Sequence, residues 1–92
     1  MNLKDIDLTL KRMIELLRGV GGGRVVGWAA ALEGVREDFH SDPKYASSKL
    51  VSMAGGMGSL SDLVLYSGGQ ALVVENNEFD MLRSRLYELV KS

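Results

Sequence analysis

Leu3, Ile6, Leu10, Met13, Ile14 and Leu17 recur at steps of three and four, and no other feature restricts the fold as tightly. An α-helix repeats about every 3.6 residues, so this spacing stacks the six side chains on one face and demands a partner surface to cover them. The spacing predicts a first helix from about Leu3 to Arg18. Asp5 and Asp7 near its start and Arg18 near its end suit the helix dipole. Gly19, Gly21, Gly22 and Gly23 then favour a break, because glycine enters the left-handed conformation cheaply.

The same period returns twice more with clear boundaries. Val25, Trp28, Ala29, Leu32 and Val35, closed by Phe39, predict a second helix from Arg24 to about Asp38, with Ala29, Ala30 and Ala31 admitting a close neighbour. Asp42 is a good N-cap and Pro43 fits the first helical position. A third helix follows to about Ala54 and buries Ala46, Leu50 and Met53. Near the C-terminus Phe79, Leu82, Leu86 and Leu89 step by three and four, with Asn76 or Asn77 as the expected cap.

Between the third and last helices lies a glycine-rich insert. Gly55-Gly56-Met57-Gly58 requires a turn or irregular loop. Ser59-Leu60-Ser61-Asp62 has capping-box spacing. Leu63–Tyr66 and Leu72–Val74 are short apolar runs separated by Ser67-Gly68-Gly69, and they could pair as a small β-hairpin. The expected fold is therefore mainly α: one domain over residues 1–92, a compact bundle of four to five helices with a glycine-rich insert and a possible hairpin. The composition, 46% hydrophobic and 25% charged, fits a globular chain of this kind.

Several chemistries are excluded. The chain has no cysteine, so disulfides, thiol catalysis and thiolate metal sites are ruled out. Eleven bases against twelve acids give a net charge of −1, without the basic excess of a dedicated nucleic-acid binder. Arg83, Arg85, Lys11 and Arg12 are too few to offset that. No apolar run approaches the ~20 residues of a membrane span. Met1-Asn2-Leu3-Lys4-Asp5 lacks the basic start and apolar stretch of a signal peptide, so a cytoplasmic location is expected.

The sole histidine, His40, precedes Ser41 and Asp42, but adjacent side chains diverge and a catalytic triad must meet in space. These three are read as exposed loop residues, and no catalytic residue is assigned. Glu33 and Glu37 share a helical face, yet no helical histidine completes a transition-metal site. No metal or other cofactor is expected. Gly55–Ser59 lacks the lysine of a phosphate loop.

Charge, however, is segregated. Glu33, Glu37, Asp38 and Asp42 with one base, Arg36, give −3, and Glu75, Glu78 and Asp80 give another −3. If these acids converge, they form a patch suited to a basic partner, whose approach it would steer.

Gly55-Gly56-Met57-Gly58-Ser59-Leu60-Ser61-Asp62-Leu63-Val64-Leu65, followed by Leu82–Leu89, resembles a family of small bacterial immunity proteins from polymorphic-toxin and contact-dependent growth inhibition systems. Trp28 before Leu32-Glu33 also fits, and Ser61 stands where that family more often has asparagine. The resemblance implies a cytoplasmic protein that binds the toxic C-terminal domain of a delivered effector, commonly a nuclease such as a tRNase, in a 1:1 complex, and blocks it without catalysis. Gly55, Gly56, Met57, Gly58, Ser59 and Asp62 are then structural. Glu33, Glu37, Asp38, Asp42, Glu75, Glu78 and Asp80 are the expected toxin-binding acids. The rival expectations are a homo-oligomerising module using Val26, Met57 and Tyr66, and a small enzyme built on His40.

Overall fold

The computed structural model describes residues 2–20, 23–54 and 63–91. Its elements run α1 (Leu3–Val20), α2 (Gly23–Ser41), α3 (Pro43–Ala54), β1 (Tyr66–Ser67), β2 (Gln70–Ala71) and α4 (Val73–Lys91). The architecture is the expected helical bundle with a two-strand hairpin. The glycine motif, Gly55 to Ser59 with Asp62, lies outside the described residues.

Helix α1 is the central element, packing against both α2 and α4, while α3 packs on α2. Its periodic stripe does what the spacing requires: Ile6, Leu10, Met13 and Leu17 are fully buried. They meet Leu32 and Val35 of α2, Leu50 of α3, and Phe79 and Leu86 of α4 in one core. Ion pairs fix the directions. Arg12 meets Glu78 and Asp5 meets Arg85, so rising numbers on α4 match falling numbers on α1 and the two run antiparallel. Arg18–Glu33 and Asp7–Arg36 give the same result for α1 and α2.

The helix ends show which local signals won. The side-chain oxygen of Asn2 accepts the Asp5 N–H at 3.1 Å, capping the helix, and its side-chain amide donates to the Asp5 carboxylate at 3.0 Å. Asp42 caps α3 as expected, its Oδ1 accepting the Tyr45 N–H at 3.2 Å. Its own N–H donates to the Asp38 carbonyl, so one residue both closes α2 and opens α3. Helix α2 consequently reaches Ser41, three residues past the expected end. Helix α1 continues through Gly19 to Val20, because Val20 still packs against the core.

The expected small hairpin forms, over fewer residues than the two apolar runs, while the expected cap of the last helix is corrected. The ladder joins Tyr66 to Ala71 and Ser67 to Gln70 only, around Gly68 and Gly69 with φ of 59° and 80°. Positive φ at both central residues of a two-residue loop is the primed turn whose twist matches a hairpin. Asn76 and Asn77 do not cap α4, which begins at Val73 and takes Val73 and Val74 into its first turn.

The reason is the Asn76 side chain. Its oxygen accepts the Leu65 N–H at 2.8 Å, and its amide donates to the Leu65 carbonyl at 2.9 Å and the Leu72 carbonyl at 2.8 Å. Asparagine thereby satisfies backbone groups in the extended strand segment instead of a helix end. The clamp turns Leu63 and Leu65 inward and leaves Val64 and Tyr66 outside, the alternation expected of extended chain.

Candidate protein-binding surface

The seven acids expected at an interface are not equivalent. Glu33 pairs with Arg18, Asp38 with Lys49, Glu78 with Arg12 and Asp80 with Arg83. Asp42 is engaged as the α3 cap. Among the described residues, Glu37 and Glu75 have no ion-pair partner.

Nor do the two acidic segments fall side by side. The α1 residues that reach α2, Asp7 and Arg18, lie about 140° around the helix from Asp5 and Arg12, which reach α4, at about 100° per residue. The acids of α2 and those of α4 therefore sit on opposite flanks of α1, and Glu33, Asp38, Glu78 and Asp80 are partly neutralised by bases of α1, α3 and α4. This arrangement follows from long-range packing and could not be read from charge runs along the chain.

The less exposed of the two forked contacts joins α1 to α2. Arg36 donates from Nε to one Asp7 oxygen at 2.6 Å and from Nη2 to the other at 3.1 Å, a two-point fork that matches the carboxylate geometry. The fork holds the Asp7 carboxyl below its ordinary value of 3.8, against a partial opposing effect of burial, with smaller help from the Arg36 and His40 charges. Glu78 is lowered for the same kind of reason by Arg12.

A carboxylate depressed in the folded state stabilises the fold above its unfolded pKa, and that contribution is lost as pH falls through the folded value. Asp7→Asn should therefore cost about 1 kcal/mol near neutral pH. The gap from the parent should close in acid, below the range where a free aspartate titrates. Urea melts of both chains across that range check this. A gap that stays constant with pH would contradict it.

His40, Ser41 and Asp42 are all exposed as expected and Asp42 lies between helices, but His40 and Ser41 belong to the last turn of α2. Their side chains go to three separate neighbours. His40 Nε2 lies 3.4 Å from Asp7, Ser41 Oγ donates to the Asp38 carbonyl at 3.4 Å, and Asp42 accepts from Tyr45. The tripeptide is not assembled as a triad. Among the described residues no group of three or more His, Asp or Glu is placed to hold a metal ion.

Two open depressions flank the hairpin. One, of about 420 Å³, lies between α1, the hairpin and α4, with Leu16, Val20 and Leu72 along it and Glu15 and Glu75 beside them. The other, of about 550 Å³, is lined by Leu63, Val64, Ala71 and Val73 with Asn77 and the Asp80–Arg83 pair. Glu15 is the acid that sequence reasoning missed. It precedes Glu75 by sixty residues, and only the packing of α1 against α4 brings the two to one groove.

Residues 23–73 match a family described as a domain of unknown function, DUF6966. The chain belongs to that family. The DUF6966 match runs from the start of α2 through α3 and the hairpin to the first residue of α4. It includes Glu33, Glu37, Asp38 and Asp42 and leaves out α1 and the acids of α4. No curated protein and no solved structure matches the chain. No helix among the described residues is long and apolar enough to cross a membrane.

Proposed function

We propose that this chain is a cytoplasmic immunity protein that binds the toxic C-terminal domain of a bacterial effector in a 1:1 complex and occludes its active site without catalysis. The reading rests first on the resemblance carried by Gly55-Gly56-Met57-Gly58-Ser59 and the leucine pattern of the last helix. The observation in the fold that best supports it is the pair Glu37 and Glu75, exposed and half-buried carboxylates without an ion-pair partner among the described residues. A nuclease that grips nucleic acid through its phosphates presents a positive cleft, and carboxylates left free of internal partners are the ones available to it. The ion-paired Glu33, Asp38, Glu78 and Asp80 would take part only by exchanging partners.

The test uses the toxin domain that this reading expects to be encoded beside the gene. Glu33→Lys with Glu37→Lys should weaken binding roughly tenfold at low ionic strength and flatten its salt dependence. Breaking the exposed Arg18–Glu33 pair should leave the melting transition nearly unmoved. Unchanged affinity and salt dependence in a folded double variant would remove the electrostatic part of the proposal.

A second reading is favoured by one observation. Val64, Tyr66, Val73 and Val74 are all exposed within eleven residues of chain, at 44–73%, and apolar side chains gathered in this way often mark a contact surface. A homo-oligomer formed there would show a mass that rises with concentration in light scattering, whereas the immunity reading expects a monomer that joins one toxin domain.

A further inference from the structure

Resting on the protein-binding reading, we propose that the groove between α1, the hairpin and α4 receives one cationic side chain, arginine or lysine, from the partner protein. The groove joins two properties that few other side chains would satisfy together. Its floor is apolar: Leu16 is buried, and Val20 and Leu72 pack against the core. Its edge carries Glu15 from α1 and Glu75 from the first turn of α4, with Ser67 of the hairpin completing the wall.

Arginine and lysine have this amphipathic form, an aliphatic stem that lies on apolar surface and a charged head that stays at the rim. At about 420 Å³ the groove is near the small end of ligand clefts, which begin at about 300 Å³, and has room for one such side chain.

Charge bookkeeping within the fold points to an external cation. Asp5, Asp7, Glu33, Asp38, Glu78 and Asp80 each have a basic partner, whereas Glu15 and Glu75, like Glu37 and Glu88 away from the groove, have none among the described residues. Arg12, one turn before Glu15, is held by a two-point contact with Glu78. Lys11, also one turn from Glu15, stays outside ion-pair distance. The groove thus keeps two carboxylates outside ion-pair distance of any described base, Glu15 feeling Arg12 and Arg36 only at longer range, beside an apolar floor where an ion pair gains more than it would on open surface.

The probe is an acetylated, amidated Leu-Arg-Leu-Arg-Leu peptide, with its citrulline counterpart as the neutral control, titrated into the full chain and followed by amide NMR shifts. The expected result is movement at Glu15, Ser67, Leu72 and Glu75 with the arginine peptide only. Binding should be roughly threefold to fivefold weaker in the E15Q/E75Q variant and unchanged in E88Q, which removes an exposed acid outside the groove. Equal binding to the parent and E15Q/E75Q, equal binding of the citrulline peptide, or shifts centred elsewhere would overturn the assignment. Protection against the toxin is a separate readout. Groove shifts without protection would overturn the immunity reading alone, and protection without groove shifts would overturn the groove alone.

Discussion

Phe79→Ala is expected to cost about 3–5 kcal/mol and to leave much of the population unfolded at 37 °C. Phe79 is fully buried among the α1 stripe and the inner face of α4. Truncating it removes the transfer energy of a whole ring and leaves a cavity that a small core has little spare chain to fill. The Arg83 guanidinium, 5.8 Å from the ring centre, would also lose the aromatic face it lies over. The control is Met81→Ala, two residues away on the same helix but 70% exposed, which should change stability by less than about 0.5 kcal/mol. Urea melts of the two variants separate burial from helix propensity. Similar losses at the two positions would mean that α4 is not seated as described.

Asn76→Asp should be the most damaging polar substitution near the hairpin, at about 2–3 kcal/mol near neutral pH. The change keeps size and shape but removes both amide donors. A carboxylate oxygen would then face the Leu65 and Leu72 carbonyls at the distances, 2.9 and 2.8 Å, where the amide now donates. The hydrogen bond accepted from the Leu65 N–H could survive, so the loss measures the donors specifically.

Protonating the new carboxyl restores one donor, and because the two carbonyls raise its folded-state pKa above the free value, the deficit should shrink as pH falls toward about 4 and level off below that. Hydrogen exchange at Leu65 and Leu72 should accelerate well before the core of α1 is affected. If both amides exchange as slowly as in the parent, the clamp does not hold the hairpin to α4.

Asn76 also shows where reading along the chain stops. Asparagine just ahead of a helical leucine pattern has the local signature of a cap, and nothing nearby in sequence reveals that Leu65, eleven residues earlier, will compete for its amide. The same holds for Val73 and Val74. Their β-branched side chains favour extended structure locally, but the turn at Gly68 and Gly69 ends the hairpin after two pairs and the helix absorbs them.

The helices themselves were legible because each carries its own period, and Asp42-Pro43 marked a boundary with chemistry that no distant contact overrode. The candidate surface was legible only in part. Clustered acids can be counted along the chain, but whether a carboxylate is free depends on bases such as Arg12 and Arg18, supplied by another helix. Glu15 carried no signal at all, being one polar residue on the solvent side of an amphipathic helix.

The central claim is that this chain acts by occupying another protein's active site. Titration of the toxin domain that the proposal places in the neighbouring gene, with nuclease turnover measured at each addition, tests it most directly. The account predicts that activity falls in proportion to added protein and reaches zero at one equivalent, with the two chains eluting together. Full toxin activity in the presence of excess protein would contradict it, as would inactivation by a small fraction of an equivalent, which only turnover by this chain could produce.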